Sequence, residues 1–483
     1  MTTQQAFTLA FQHHEAGRLA DAEALYRQIL AVQPNHADAL HHLGVIARQG
    51  GHHAVAVERI RQALVLDPNN AAAYSNLGAS LADQGQFEEA VTAYRRAIQL
   101  RPDYAETHFN LGNALTEQGQ LVEAVEAYHR ALRLKPNYAE AHNNLGAAMT
   151  EQGRIDEAMV AFRRTLQLEP DHGRARFNLS LQLLLRGDFE PGWPLFEARW
   201  TAQSTEPSFS QPKWDGSKLG GRRVLVHFEQ GFGDSIQFIR YAALIAGRGG
   251  EVIFECQRPL VELFRGAKAV SEVVAAGDPL PPFDVHVPML SQPLVFNTTL
   301  ETIPRESPYL FADPARCETW RGRLGGDRSR LRVGLAWMGN TGKVRMRKRH
   351  VALDKLLPIL HVEGVDFFSL QMDRGAEQIR QTSGASGIVD HTGHIHDFSD
   401  TAAFITELDL IISVDTAVAH LAGALGRPVW MLLPFVPDWR WGLESEATPW
   451  YPTMRLFRQP TLGNWDAVIE RLVGELRHAA NDN

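Results

Sequence analysis

Cysteine is scarce. The 483 residues hold two, Cys256 and Cys317, far apart and in no metal-ligand or redox spacing. That excludes a disulfide framework, and a cytoplasmic protein with reduced thiols is the expectation. Long apolar runs are also missing. None reaches the roughly 18 residues a bilayer-spanning helix needs, so no transmembrane segment is expected. The opening stretch MTTQQAFTLAFQHHEAGRLAD lacks a basic region followed by an apolar core, so no secretory signal is expected. Positive charge is not in excess: 48 Lys and Arg against 56 Asp and Glu leave a net charge of −8, which argues against a nucleic-acid partner. No compact carboxylate pair stands out as a divalent-metal site. His391, His394 and His396, set between Asp390 and Asp397, fit no zinc spacing. Neither a metal nor a cofactor is expected. What is there, 44% hydrophobic and 22% charged residues, is ordinary for a globular protein, and the length suggests roughly three domains.

The first two hundred residues repeat. Prolines fall at 34, 68, 102, 136 and 170, a period of 34. Leu-Gly pairs at 43–44, 77–78, 111–112 and 145–146 keep the period, as do Gly17, Gly51, Gly85, Gly119, Gly153 and Gly187. Ala22, Ala56, Ala90, Ala124 and Ala158 keep it too. The physical reading is one helical hairpin per repeat. Glycine makes the turn, alanine lets two helices approach, and proline stops the second helix. Period and pattern resemble the tetratricopeptide repeat. Five units cover about 3–172, and 173–200 reads as a degenerate sixth with Ser180 in place of the glycine and Trp193 and Trp200 added. That suits a capping or docking unit. Asn76, Asn110, Asn144 and Asn178 recur at one position of the first helix, with His42 as the earlier equivalent. A carboxamide both donates and accepts, so the ladder would either grip the peptide units of an extended chain or bond to the neighbouring hairpin.

Residues 201–218 are polar with Pro207 and Pro212 and read as a linker or docking segment. A new pattern then begins. Residues 223–228 form an expected strand, 229–234 a turn, 235–246 a helix and 252–256 the next strand. Strands alternating with helices imply a parallel sheet. Gly231 and Gly233 would let backbone approach a ligand. Asp234 is either a cap at the helix entrance, worth about 1 kcal/mol, or a general base at the mouth of a cleft.

A second sheet begins at 331–337. The loop that follows carries Lys343, Arg345, Arg347, Lys348 and Arg349, cations suited to phosphate. DLIISVDTAVAHLAGALG at 409–426 reads as strand, tight turn and helix: a buried strand, Ser413, Asp415 and Thr416 with cap chemistry, a helix, and Gly426 as its stop. A helix N-terminus at a strand's carboxyl end favours an anion. His420 lies one turn past Thr416 on the same face. The loop PFVPDWRW at 434–441 and Trp450-Tyr451 place aromatics beyond a further strand at 429–433, and 465–478 closes the chain with an amphipathic helix.

QGFGD at 230–234 followed by IQFIRY at 236–241 resembles the N-terminal motif of glycosyltransferase family nine, the ADP-heptose:lipopolysaccharide heptosyltransferases. SVDTAVAHLAGALG at 413–426 is similar to that family's donor motif, D-[ST]-G-x-x-H, through Asp415, Thr416 and His420. GLAWMGN at 334–340 with Arg349 resembles the strand and basic loop near its donor phosphates. Ala417 stands where the family often has glycine, and His350 where serine is common. The resemblance implies α + α/β architecture: a tetratricopeptide-repeat solenoid at 1–200, a linker at 201–218, and a GT-B pair of Rossmann-like domains, acceptor-side at 219–326 and donor-side at 327–483. It implies Asp234 as catalytic base, and Gly233, Asn340, Arg349, Asp415, Thr416 and His420 around a nucleotide-diphosphate sugar. The expected activity is metal-independent hexosyl or heptosyl transfer to a hydroxyl of a protein, peptide or glycan, with the asparagine ladder choosing the acceptor. The rival is a non-enzymatic protein-binding scaffold on a degenerate sugar-nucleotide fold.

Overall fold

The structure is a computed structural model that describes residues 1–202, 206–325, 328–339, 349–372 and 374–481. Asn340 and the basic residues Lys343, Arg345, Arg347 and Lys348 lie outside the described residues. The chain divides into two compact units, Met1–Asn178 and Leu179–Asn483. None of the described helices is long and apolar enough to cross a membrane.

The first unit is a run of helical hairpins. Its helices are α1 (Thr3–Glu15), α2 (Leu19–Val32), α3 (Ala37–Gln49), α4 (His53–Leu66), α5 (Ala71–Asp83), α6 (Phe87–Leu100), α7 (Ala105–Glu117), α8 (Leu121–Leu134), α9 (Ala139–Glu151) and α10 (Ile155–Leu168). The 34-residue pattern now has causes. The turn glycines, from Gly17 to Gly187, all sit at φ between 73° and 86°, where a side chain would be strained. The helical glycines serve contact instead. A Cβ on Gly78, Gly112 or Gly146 would lie 2.7, 2.6 or 2.7 Å from the ring of Tyr94, Tyr128 or Phe162 on the hairpin's second helix. The periodic alanines, Ala22 to Ala158, are completely buried.

The asparagine ladder is engaged within the array. Asn76 Nδ2 lies 2.9 Å from His41 Nε2. Asn144 donates to Asn113 at 2.9 Å and accepts from Asn143 at 3.1 Å. Asn178 donates to Asn143 Oδ1 at 3.1 Å. Each bond to Nδ2 reaches back one repeat, so for these three residues the structure favours pins between hairpins over a waiting peptide grip. Asn110 is half-buried at the same position. Breaking one such pin should cost about 0.5–1.5 kcal/mol. Asn144→Ala is expected to lower urea-unfolding stability by that amount; an unchanged midpoint would free the ladder for another role.

The second hairpin has a histidine, His42, at this position. The His42 ring stacks on Tyr26 at 5.5 Å and meets the rings of His14 and Phe7, each at 5.7 Å. Burial, with the neighbouring histidines adding to it, pushes both His41 and His42 down to about 4, although Asp38 opposes the shift at His42. The folded chain therefore keeps these rings neutral where the unfolded chain, titrating near 6.5, takes up protons. Their contribution is complete above pH 6.5 and is lost as pH falls toward 4. Amide-exchange protection in α1–α3 should fall across that window, and His42→Asn, the residue of the later repeats, should flatten the dependence. Protection independent of pH in the unmutated chain would refute the linkage.

The second unit begins inside α11 (Gly173–Arg186) and continues through α12 (Phe189–Phe196) and α13 (Arg199–Ala202). The division falls at 178 rather than at the expected 200 because the aromatics of α12 pack on later elements. Trp193 lies 5.3 Å from Trp439 and donates from Nε1 to Thr298 O at 2.9 Å. The docking reading of this degenerate hairpin thus has a partner. The expected linker is docked too: Lys213 forms a bridge with His286, and Trp214 is buried.

Two sheets follow, the first parallel and the second mainly so. The first, β1 (Arg223–His227), β2 (Glu251–Cys256), β3 (Glu272–Ala275) and β4 (Val285–Pro288), runs in the order β3-β2-β1-β4. Its helices are α14 (Phe232–Phe238), α15 (Ala242–Gly247), α16 (Val261–Arg265) and α17 (Gln292–Val295), and α18 (Pro314–Leu324) follows. The second sheet comprises β5 (Leu331–Ala336), β6 (Val365–Ser369), β7 (Ile388–Val389), β8 (Leu410–Val414), β9 (Val429–Leu433), β10 (Ala447–Thr448) and β11 (Tyr451–Arg458). Its order is β10-β11-β9-β8-β5-β6-β7, and β10 is the antiparallel member. Its helices are α19 (Leu353–Leu356), α20 (Arg374–Gln381), α21 (Phe398–Thr406), α22 (Ala417–Ala424) and α23 (Trp465–Asn481). The central strands β5 and β8 are buried throughout, which is why they read as apolar runs. The chain is thus a helical-repeat solenoid followed by a GT-B pair of Rossmann-like domains.

Candidate functional site

The two sheets present the carboxyl ends of β1 and β8 to one place. From β1 the chain turns through Gln230, which holds φ at 65°, into α14. A left-handed glutamine is a strained residue of the kind that clusters at sites. The helix starts at Phe232, three residues before the expected Ser235, because Gly231 takes the N-cap position. Asp234 is therefore the third residue of the helix. Its Oδ2 accepts the Gly231 N–H at 2.9 Å, and its Oδ1 takes an ion pair from Arg440 Nη2. The expected unbroken helix to 246 is interrupted by a 3-10 turn at Ile239–Tyr241. There Arg240 bends back to donate to Gln237 O at 2.8 Å.

Gly233 has a different role from the one expected. A Cβ there would sit 2.8 Å from the His420 ring. The glycine admits the histidine of α22, so its open face is filled by protein and not kept for a ligand. His420 is buried between the halves. Its Nδ1 is 2.9 Å from the Tyr451 hydroxyl, and its Nε2 is 3.6 Å from Asp415 Oδ1. Helices α14 and α22 pack on each other at this point.

In the second half, Thr416 takes the N-cap position of α22, as the sequence predicts, but it makes no side-chain cap. Its hydroxyl lies 3.0 Å from Ser413 Oγ instead. Asp415 accepts Arg349 Nη1 at 2.8 Å. Burial opposes charge on Asp415, but Arg349 and His420 outweigh it and hold the carboxyl well below the usual range. Asp438 is shared: its Oδ2 accepts Arg349 at 3.2 Å and its Oδ1 accepts Arg440 at 2.8 Å. Arg440 is 8% exposed in its side chain, donates from Nε to Gln237 Oε1 at 2.6 Å and lies 4.5 Å over the Trp439 ring. Burial weakens its charged form, but Asp438 and Asp234 more than compensate and fix the charge.

An unbroken series of charges, Asp234–Arg440–Asp438–Arg349–Asp415, therefore joins the two halves. Of the residues singled out in the sequence, Asp234, Arg349, Asp415, Thr416 and His420 lie in this region. The sequence reading missed Arg440, Asp438, Gln237 and Tyr451. The available signal was the acid-base pair set inside the aromatic loop 434–441, since charges amid tryptophans have to be paired. Two buried donors beside Arg440 and His420, Gln237 Nε2 and Trp441 Nε1, have no partner among the described residues. Also among the described residues, no three His, Cys, Asp or Glu side chains gather as a metal site.

Fold and site define a tetratricopeptide-repeat protein fused to a glycosyltransferase-type α/β pair, and comparison with known proteins supplies the particulars. Tetratricopeptide-repeat models match residues 13–71, 60–92, 80–118, 112–153 and 139–172. The model of glycosyltransferase family 9 (heptosyltransferase) matches residues 350–433, so the chain carries a domain of that kind near its C-terminus. Protein FlbA of Caulobacter vibrioides is 28% identical over 339 residues, which is 62% of this chain and 54% of that protein. The chain thus spans about half the length of that curated relative. Among solved structures, the MamA protein is 28% identical over 35% of this chain and 92% of its own, with a TM-score of 0.32. Pseudomonas aeruginosa PilF is 21% identical over 42% of this chain and 93% of its own, with a TM-score of 0.39.

The fit of His420 against Gly233 can be tested by adding one methyl group. Gly233→Ala should destabilise the second unit by about 1–3 kcal/mol through overpacking. Combining it with His420→Ala should recover part of that loss in a double-mutant cycle. Additive losses would mean that the two residues do not pack on each other.

Proposed function

We propose that the second unit transfers a sugar from a nucleotide-diphosphate sugar to an acceptor hydroxyl, without a metal. The observation that carries the reading is the series of ion pairs that links Asp234, after the first strand of the first sheet, through Arg440 and Asp438 to Arg349 and Asp415 of the second half, where α14 packs on α22. Asp234 accepts the proton of the acceptor hydroxyl. The acceptor oxygen bonds to the anomeric carbon as the bond from that carbon to the diphosphate oxygen breaks, and the bonding pair leaves with the diphosphate. Arg349 and the uncapped amides that open α22 stabilise that charge, an electrostatic role realised as the bond breaks. The helix dipole adds only about 0.3–1 kcal/mol, so Arg349 and direct amide hydrogen bonds carry most of the hold. His420 orients the donor side through Asp415. Each Asp234 oxygen already has one donor and keeps a second lone pair for the acceptor.

The repeats suit a protein or peptide acceptor, since such arrays present long surfaces built from neighbouring units. Because three ladder asparagines are tied to the preceding hairpin, an acceptor peptide would exchange those bonds or use other side chains of the same helices.

The direct test is release of nucleoside diphosphate from a panel of sugar nucleotides, with and without acceptor. Asp234→Asn should lower turnover by about 10²–10⁴-fold, the usual share of general-base catalysis, while donor affinity stays within a few-fold. Turnover retained in this variant would remove Asp234 from the mechanism.

A further inference from the structure

Gln230 holds a left-handed backbone, at φ 65°. Among the described residues, two besides glycine have positive φ, and the other is Asn297, a residue type that visits that region routinely. Glutamine does not, and glycine would make the same turn without strain. The surroundings hold the residue there from three sides. Glu229, before it, takes two bonds from Arg199, at 2.7 and 2.9 Å, and one from the Leu290 N–H at 2.9 Å. The Gln230 carbonyl accepts Gln257 Nε2 at 3.2 Å, while Gln257 Oε1 accepts Ser235 Oγ at 2.8 Å. Gly231, after it, donates its N–H to Asp234 Oδ2 at 2.9 Å.

None of these bonds uses the Gln230 carboxamide. That side chain is exposed, and among the described residues it makes no hydrogen bond. A glycine at 230 would keep every clamp and shed the strain. The clamps therefore hold a costly backbone for the sake of a side chain that no protein group engages. Such over-determined strain clusters at ligand clamps. The place is suited to one: the turn leaves the carboxyl end of β1, where open α/β sheets meet their ligands, and ends at Asp234. A carboxamide offers a donor and an acceptor together, which match the two functions of a sugar hydroxyl.

We propose that Gln230 is a specificity-determining residue whose carboxamide hydrogen-bonds a hydroxyl of the sugar carried by the donor. The inference rests on the reading of the second unit as a sugar transferase and adds the side chain that reads the sugar. In that reading the anomeric carbon lies between Asp234 and the diphosphate. The loop of Asp234 then borders the sugar, while Arg349 and α22 border the diphosphate. Gln230 thus acts on the sugar and leaves the hold on the nucleoside diphosphate unchanged.

The test uses the full chain and two variants. Gln230→Gly removes the carboxamide and the strain together; Gln230→Ala removes the carboxamide and keeps the strain. Calorimetry compares uridine, guanosine and adenosine diphosphates with the corresponding diphosphate sugars, epimers included. Both variants should bind the nucleoside diphosphate as the unmutated chain does. Both should bind the preferred diphosphate sugar about two- to tenfold more weakly, the usual share of one neutral hydrogen bond. Both should discriminate less between sugars that differ at one hydroxyl. In urea the glycine variant should unfold at a higher midpoint than the alanine variant. Unchanged sugar affinity and epimer preference in both variants overturn the proposal. A sugar loss confined to Gln230→Gly overturns it too, since the turn's backbone would then be responsible. So does an equal loss for a diphosphate and its sugar conjugate, or an alanine variant as stable as the glycine one. If the unmutated chain binds no member of the panel, the transferase reading itself falls, and this inference with it.

Discussion

The second unit depends on a buried guanidinium. Arg440 is 8% exposed in its side chain and stands between Asp234 and Asp438. An unpaired charge there would be costly: breaking a buried pair from one side typically costs about 3–5 kcal/mol. The requirement is reciprocal. The loop 434–441 keeps its shape because Arg440 has carboxylates to meet, and α14 keeps its orientation because Asp234 has a cation to meet. A second arginine repeats the theme. Arg240 is buried and, among the described residues, has no carboxylate as a hydrogen-bond acceptor. It donates to Trp450 O at 2.6 Å, to Pro304 O at 3.2 Å and to Tyr309 Oη at 2.9 Å, with the rings of Tyr309 and Tyr451 each 4.6 Å away. Carbonyl oxygens and ring faces stand in for the missing anion.

The degenerate sixth hairpin supports both sides of this arrangement. Its aromatics surround Trp439, on which Arg440 lies. Arg199, just beyond it, makes a two-pronged pair with Glu229, at 2.7 and 2.9 Å, and donates to Ser291 Oγ at 2.8 Å. Glu229 stands five residues before Asp234, at the start of the strained turn. One short segment, 189–199, therefore braces the loop of the candidate base and the loop of its partner arginine. That explains why this hairpin abandoned the repeat pattern: its surface is committed to the sheets.

The parts of this protein legible in the sequence are those set by local rules. The 34-residue period fixes the hairpins because turn glycines and contact glycines each answer a short-range steric demand. The strand-turn-helix at 409–426 was readable for the same reason, and β8, α22 and Gly426, at φ 70°, follow it closely. What escaped were relations across long separations. Gly233 looks like a ligand glycine until His420, 187 positions later in the chain, is seen against it. Arg440 looks like a solvated loop residue until Asp234 is placed beside it. The asparagine ladder was ambiguous in the sequence because one carboxamide serves a neighbour or a peptide equally well, and only the bonds to His41, Asn113 and Asn143 tell them apart.

The central claim is that both halves of the second unit form one nucleotide-sugar site. Amide hydrogen exchange of the full chain, with and without saturating nucleoside diphosphates from a panel of bases, tests it most directly. The account predicts that one of them slows exchange at once in three segments: 229–238, 413–424 and 434–441. Slowing confined to other segments, or confined to one half whichever diphosphate is added, would contradict it.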